Sequence, residues 1–178
     1  RPADIAKVRH RFVGDATLGA LNFKVIDDLT EQVCNWVHHR PISDADGRFL
    51  TYEITEGAVA MRREVISSSG GYAESFFISH EGPDLAFRLM DLGYDVAYDG
   101  SICIRHRHEQ KERKPWRFYY YDTRNQFWVA ARTMPAPYAA RYLTIGIGAM
   151  LFYSVRDGFL LWWMRAVRDG LLGVPGCL

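Results

Sequence analysis

The pattern of hydrophobic and polar positions predicts short strands and short helices as far as residue 106, and helices alone after it. The run LGALNFKVID, residues 18–27, is strand-like and ends at a turn, Asp27-Asp28, and residues 30–40 alternate well enough to form its hairpin partner. This order of elements predicts an α/β fold class. The predicted strands cover residues 18–27, 30–40, 49–61, 94–100 and 101–106, and predicted helices cover residues 2–12, 62–72 and 117–131.

A further helix is predicted in SHEGPDLAFRLMDLG, with Pro83 in its first turn and Gly93 at its end. Its buried face is expected to carry Leu85, Leu89 and Leu92. Glu81 and Asp84 lie three residues apart, so they share one side of the helix at its electropositive end. A carboxylate in that place stays ionised and is able to act as a general base. The alternative is that these acids only favour the N-terminus of the helix and have no catalytic role.

A second group of candidate residues follows the predicted strand 101–106. His106 and His108 are two residues apart and therefore lie on one face, where neutral imidazoles ligate divalent cations or contact phosphate oxygens. Cations outnumber acids around them, which suits a diphosphate or a lipid phosphate; the alternative is a solvated basic loop. The cations are Arg105, Arg107, Lys111, Arg113, Lys114 and Arg117, and the acids are Glu109 and Glu112.

Composition narrows the function classes. The 178 residues fit one domain by length, and the formal net charge of +1 provides no global basic field for nucleic acid. The three cysteines have no metal-ligand spacing and leave one unpaired, so we expect no disulfide framework and a reducing, cytoplasmic compartment. The first residues contain no apolar segment of the signal-peptide type.

The last part of the chain, residues 135–178, is apolar and is predicted to be a separate helical tail. Residues 142–155 carry no charge, but these 14 residues fall short of the about 20 that a membrane span needs. Arg156 and Asp157 interrupt the apolar run, and Trp162 and Trp163 are of a type that favours the membrane interface. We therefore expect a helix pair lying on, or shallowly embedded in, the membrane surface. A buried core helix pair and a true span are the alternatives.

The segment from residue 57 to residue 108 carries the motifs of a resemblance, covering about residues 15–172, to the C-terminal half of inverting family 2 glycosyltransferases with the GT-A fold. In that family a strand of small residues leads to an Arg-Arg pair, a Gly-Gly acceptor loop, an acidic helix start, a Gly-Tyr pair with a strand, and a closing histidine. The segment WRFYYYDTRNQFWVAAR and the apolar tail also look like the membrane-proximal end of members that act on lipid-linked acceptors. The matching residues, in order, are Arg62-Arg63, Gly70-Gly71, Glu81, Asp84-Leu85, Arg88, Gly93-Tyr94 and His106.

The resemblance implies the C-terminal part of a GT-A sheet over residues 1–134, followed by the helical tail. It also implies that the nucleotide-binding half, with its Asp-x-Asp motif, is absent from this stretch of sequence. The implied function is transfer of a sugar, with inversion, from a nucleotide-diphosphate donor to a hydroxyl acceptor. That acceptor is expected to be a lipid-linked glycan or a cell-envelope polysaccharide, handled at the membrane surface.

The resemblance also implies roles for individual residues. Glu81 or Asp84 would be the catalytic base, His106 would help to hold a Mg²⁺ or Mn²⁺ ion or the diphosphate, and the donor would be a nucleotide-diphosphate sugar. The implied acceptor-binding residues are Gly70, Gly71, Arg88, Trp116 and Arg117. The implied cofactor-binding residues are Arg63 and Arg113.

One departure from the family pattern bears on the base. The family's usual catalytic acid directly follows the glutamate, and this chain has Gly82 there. We expect Glu81 to take over, because it lies outside Pro83 and is able to reorient toward a hydroxyl. Asp84, just inside the helix, is better placed to accept backbone N–H groups as a cap, which makes it a poorer base.

Two other function classes remain open from the sequence. The chain is an incomplete catalytic fragment that serves as a binding or partner subunit, or it is a metal-dependent hydrolase that uses His106 and His108 with Glu81. The hydrolase predicts activity without nucleotide. The donor sugar, acceptor and linkage are not encoded in any motif recognised here.

Overall fold

The computed structural model of the chain describes residues 2–107 and 114–177. These residues fall into two compact units. The first unit comprises Arg1–Gly71 and Leu85–Glu109, and the second comprises Tyr72–Asp84 and Gln110–Leu178. The helix Glu81–Asp91 therefore begins in the second unit and continues in the first.

The first unit is built on a mixed four-stranded sheet. Its strands are β1 (Leu18–Asp27), β2 (Arg48–Leu50), β3 (Val59–Met61) and β4 (Asp95–His106). They lie in the order β2-β4-β1-β3, with β1 parallel to β4 and each outer strand antiparallel to its neighbour. Strands and helices together confirm the α/β class that the sequence pattern predicts.

The helices follow the predicted positions closely. Short 3₁₀ turns occupy Ile42–Asp46 and Glu74–Phe76. The α-helices are α1 (Pro2–Gly14), α2 (Arg63–Ser69), α3 (Glu81–Asp91), α4 (Trp116–Thr133), α5 (Ala136–Arg156) and α6 (Leu160–Cys177). The predicted end of α3 is confirmed, because Gly93 takes a left-handed φ of 84° just beyond it.

The predicted hairpin partner at residues 30–40 is wrong. Only an isolated bridge between Ile26 and Val33 forms beside β1 in this stretch. Glu31 and Asn35 adopt positive φ values of 58° and 52°, which take the backbone out of the extended conformation. Alternation alone did not reveal these two turns.

Two other strand predictions are also corrected. Residues 49–61 do not form one strand, because β2 joins β4 while β3 joins β1, at opposite edges of the sheet. Residues 94–106 do not form two strands, because β4 continues through Gly100. A Cβ at Gly100 would collide with the Ala45 carbonyl, so only glycine allows β4 to lie this close to the backbone of the 3₁₀ turn Ile42–Asp46. The pairing of β1 with β4 shifts register here, because Phe23 pairs with Asp99 while the next residue, Lys24, pairs with Cys103.

The core of the first unit lies between the sheet and α3. Leu85 and Leu89 are fully buried there with Val65 of α2 and Val96 of β4. The expectation that Leu92 shares this face is wrong, since 49% of its surface is exposed. It follows the last turn of α3, where the chain already bends toward Gly93.

The second unit is helical, with α4 packed against α5 and α6. The indole N–H of Trp128 donates to the Gly170 carbonyl at 3.0 Å, and Gly173 also lies against its ring. The structure thus groups α4 with the tail, whereas the sequence predicts a boundary after residue 134. None of the described helices combines the length and the hydrophobicity that a membrane crossing requires.

Candidate active site

The segment that leads into α3 has an unusual backbone. Phe77 has φ 64° and ψ −59°, and the N–H of Ile78 donates to the Phe76 carbonyl at 2.8 Å, which makes a γ-turn of the rare, strained type. Ser79 and His80 follow with φ values of 74° and 65°. Residues other than glycine seldom adopt such backbone conformations, and strain of this kind concentrates at functional sites.

Asn125 of α4 holds this strained segment. Its side-chain amide nitrogen, which is fully buried, lies 3.0, 2.8 and 2.6 Å from the carbonyl oxygens of Phe76, Ile78 and Ser79, so that its two hydrogens are shared among three acceptors. Arg124 adds a bond of 2.9 Å to the Phe76 carbonyl. Because these carbonyls find partners inside the protein, the helix stabilises a loop conformation that the free backbone would avoid.

His80 closes the segment and contacts Asp122 of α4. Its Nε2 lies 3.2 Å from Oδ1 of Asp122, although the N–H direction does not give an aligned hydrogen bond. Its Nδ1 lies 3.3 Å from the hydroxyl of Tyr142 in α5. The His80 carbonyl accepts the N–H of Asp84, so His80 also opens the first turn of α3.

Asp122 is held in its ionised form. Burial by itself would raise the pKa of this carboxyl, but the neighbouring His80 ring and two hydrogen-bond donors outweigh burial and leave the pKa below its usual value. Those donors are the Ser79 hydroxyl on Oδ1 and the Gln126 amide on Oδ2, each at 2.9 Å. Asp122 is therefore a fixed negative charge beside the imidazole.

Glu81 is the first residue of α3 and directly follows His80. Its Oε2 is shut off from solvent and has no hydrogen-bond partner among the residues that the structure describes. A buried oxygen without a partner costs about 1–3 kcal/mol, so such atoms call for an explanation. The next residue, Gly82, is buried and contributes no side chain. Glu81 thus presents an acceptor atom on which no described residue places a donor.

Asp84 is placed differently from Glu81. It is fully buried, and Nε of Arg132 in α4 donates to its Oδ1 at 2.8 Å. The sequence predicts a capping role for Asp84, and the structure adds a cation from another helix as a partner. A buried carboxylate paired with an arginine in this way is a structural element of the second unit.

The Gly-Gly loop and Arg88 come together in the first unit. Gly70 and Gly71 end α2 with φ values of 76° and 67°, which only glycine adopts readily. The Arg88 guanidinium donates to the Gly71 carbonyl at 2.7 Å and to the Ser69 carbonyl. Arg88, predicted to bind acceptor or to anchor its helix through ion pairs, thus anchors the loop through its carbonyls.

Arg63 and His106, the predicted donor and metal residues, are exposed in the first unit. Arg63 begins α2, while its neighbour Arg62 turns inward and donates to the Leu18 carbonyl at 2.8 Å. His106 ends β4, and its carbonyl accepts the N–H of Asp28. Across residues 2–107 and 114–177, no three His, Cys, Asp or Glu side chains are grouped to hold a metal ion. Arg113 and His108 lie outside the described residues.

Trp116 and Arg117, the predicted acceptor residues, lie at the start of α4. The Trp116 ring stacks on Trp162 of α6, with ring centroids 4.1 Å apart. The exposed Arg117 guanidinium lies 6.0 Å from the ring centroids of both Trp116 and Phe77. One face of Trp116 is thus covered by the protein, and Arg117 remains close to an aromatic cluster at the surface.

The residues of α4 that form this site were not among those predicted from the sequence. Asp122, Asn125 and Gln126 recur at positions i, i+3 and i+4, which is the spacing of one helical face. In a helix otherwise rich in aromatic residues, that polar face was the available signal. It does not reveal the partner, because residues 75–80 lie about forty positions away in sequence.

Comparison with known proteins adds no relative. No protein-family model matches the chain, and a search of curated proteins likewise returns no match.

Proposed function

We propose that the chain is the acceptor-side part of an inverting glycosyltransferase, which moves a sugar from a nucleotide-diphosphate donor to a hydroxyl acceptor. The ordered motif from Arg62 to His106 suggests the reaction. The observation that carries the proposal is the Glu81 carboxylate, whose Oε2 is buried and has no partner among the described residues. A proton acceptor needs such an unoccupied oxygen within reach of its substrate.

The proposed reaction is a direct displacement. Glu81 takes the proton of the acceptor hydroxyl, and that oxygen forms a bond to the anomeric carbon. The bond from this carbon to the diphosphate oxygen breaks at the same time, and the diphosphate leaves with the electron pair. Attack opposite the leaving group inverts the anomeric centre. The loop at Gly70 and Gly71, anchored by Arg88, supports the acceptor side of the proposal.

A divalent metal would neutralise the leaving diphosphate in such a reaction. The described residues do not fit a complete metal site, because His106 is a single exposed imidazole without two further ligands beside it. No step is therefore assigned to a metal. Arg63 remains a proposed contact for the donor diphosphate, as does Arg113.

Attachment to a membrane surface is the second part of the proposal. The helical unit buries polar side chains such as Thr123 and Ser154, while large apolar side chains face outward from α5 and α6. Phe152, Leu161 and Leu172 are 64%, 71% and 73% exposed. Polar groups inside and apolar groups outside are typical of helices that contact lipid. Cations on the two helices suit anionic headgroups: Arg141, Arg156, Arg165 and Arg168.

We expect the chain to float with vesicles that contain anionic lipid. Leu161→Glu should lower the bound fraction about tenfold, because burying one leucine side chain contributes about 1.5–3 kcal/mol. Leu29→Glu is the matched control, since Leu29 is 69% exposed in the first unit. Equal flotation of the two variants, or recovery of the unaltered chain in the lipid-free fraction, would contradict this surface assignment.

The reaction is tested by nucleoside diphosphate release from a panel of UDP-, GDP- and dTDP-sugars in the presence of a membrane lipid extract. The chain is assayed alone and together with any coding sequence that precedes it in its gene. We expect release that depends on both donor and lipid, with an inverted linkage by NMR. Hydrolysis without nucleotide would favour the hydrolase, and donor-independent lipid binding alone would favour a partner subunit.

A further inference from the structure

His80 retains a backbone conformation that its side chain makes unfavourable. A φ of 65° is open to glycine and is uncommon for every other residue, although histidine and asparagine adopt it more often than bulkier residues do. Glycine at this position would relieve that strain. We therefore expect the interactions of the imidazole to outweigh the backbone strain, and its two contacts identify these interactions.

Both ring nitrogens of His80 face side chains of neighbouring helices. Asp122 of α4 lies 3.2 Å from Nε2, and Tyr142 of α5 lies 3.3 Å from Nδ1. The side chains of His80 and Asp122 are only 18% and 19% exposed. Two different helices thus fix the ring, and the residue covalently attached to this fixed point is Glu81.

We propose that His80 and Asp122 position Glu81, holding Oε2 of its carboxylate in a buried setting without a partner among the described residues, from which it acts on the acceptor hydroxyl. The negative charge of Asp122 attracts the imidazole toward α4. The turn at Ser79 and His80 sets the direction in which the chain enters α3, and the Asn125 amide binds the carbonyls that precede this turn. His80 is then a positioning residue and not the proton acceptor. This role rests on the function proposed above.

A Gln side chain separates a positioning role from a proton-accepting one. Its amide nitrogen reaches the place of Nε2 in His80 and is able to donate to Asp122, but it does not accept a proton. His80→Gln therefore keeps a contact with Asp122. His80→Gly removes that contact and also removes the backbone strain at this position. Asp122→Asn removes the charge and keeps the shape of the partner. A double variant of His80→Gly and Asp122→Asn measures the coupling of the two residues.

The direct readout is the rate at which a carbodiimide modifies Glu81, measured by mass spectrometry of the folded full chain. We expect a rise of about tenfold in His80→Gly and Asp122→Asn, since a mispositioned carboxylate becomes accessible, and no change in His80→Gln. Glu74, an exposed carboxylate of the same unit, provides the internal reference. Phe77→Gly is the matched control, because it relieves strain in the same segment and leaves the His80–Asp122 contact intact.

Kinetics provide the second readout. A misplacement of about 1 Å at the reacting group costs up to about 10²-fold, so His80→Gly and Asp122→Asn should each lower kcat by that order with little change in KM. The double variant should be no worse than either single one, and His80→Gln should retain kcat within about threefold.

Three results separate the outcomes. Unchanged Glu81 modification in folded His80→Gly overturns the positioning role whatever the activity. Loss of kcat in His80→Gln equal to that in His80→Gly, with Glu81 still protected, also overturns it, because His80 itself would then carry the proton. The expected labelling pattern without nucleoside diphosphate release by the unaltered protein supports the positioning of Glu81 and rejects the proposed function.

Discussion

Arg132→Met should lower the free energy of unfolding by about 3–5 kcal/mol, because removing one partner of a buried ion pair leaves the other charge in a setting that water does not reach. Asp84 is fully buried with the Arg132 Nε 2.8 Å away. The sequence alone predicts a smaller loss for Asp84→Asn, of about 1 kcal/mol for a cap. Urea denaturation followed by circular dichroism measures the difference.

The matched control is Arg168→Met on α6. Arg168 pairs with Asp169 at 2.7 Å, but its side chain is 67% exposed, so its loss should cost less than about 1 kcal/mol. The combined variant Asp84→Leu with Arg132→Met should be more stable than Arg132→Met alone, since no charge is left buried. Equal losses in Arg132→Met and Arg168→Met would show that burial of the Asp84 pair contributes nothing.

Glu81→Gln should lower kcat for sugar transfer by at least about 10²-fold, the low end of what a general base contributes. Donor binding should change little, because the substitution keeps the shape of the side chain and removes only its capacity to take a proton. The measurement is nucleoside diphosphate release with saturating donor and acceptor, together with donor affinity by calorimetry. This prediction rests on the proposed function and uses whichever form of the chain releases nucleoside diphosphate in the donor panel.

Glu74→Gln is the control for this substitution. Glu74 is an exposed glutamate in the short turn before the strained segment, so the same chemical change there should leave kcat unaltered. Asp84→Asn provides the contrast: in a folded protein it should cost stability more than turnover. Full turnover in Glu81→Gln together with loss of turnover in folded Asp84→Asn would reverse the assignment of the two carboxylates.

Much of the fold follows from local pattern. The predicted strand 18–27 coincides with β1, whose first five residues are all buried because β1 is an inner strand of the sheet. The α3 helix is likewise predictable from its acidic start, its leucines and Gly93. The misjudged strands at 30–40, 49–61 and 94–106 depend on pairing with distant partners, which alternation does not encode.

The sequence by itself determined where the candidate chemistry lies, at Glu81 and Asp84, since acids at a helix start are a local feature. The sequence also predicts that the two carboxylates differ, but only the tertiary structure decided which contacts each one makes. Arg132 neutralises Asp84, while Oε2 of Glu81 is buried without a described partner. It also decided the setting of His80, whose ring meets Asp122 from a helix about forty residues further along the chain. Such contacts arise because packing brings together polar groups that are distant in sequence. Water is excluded there, so each interaction is stronger than it would be in solvent and each missing partner is more costly.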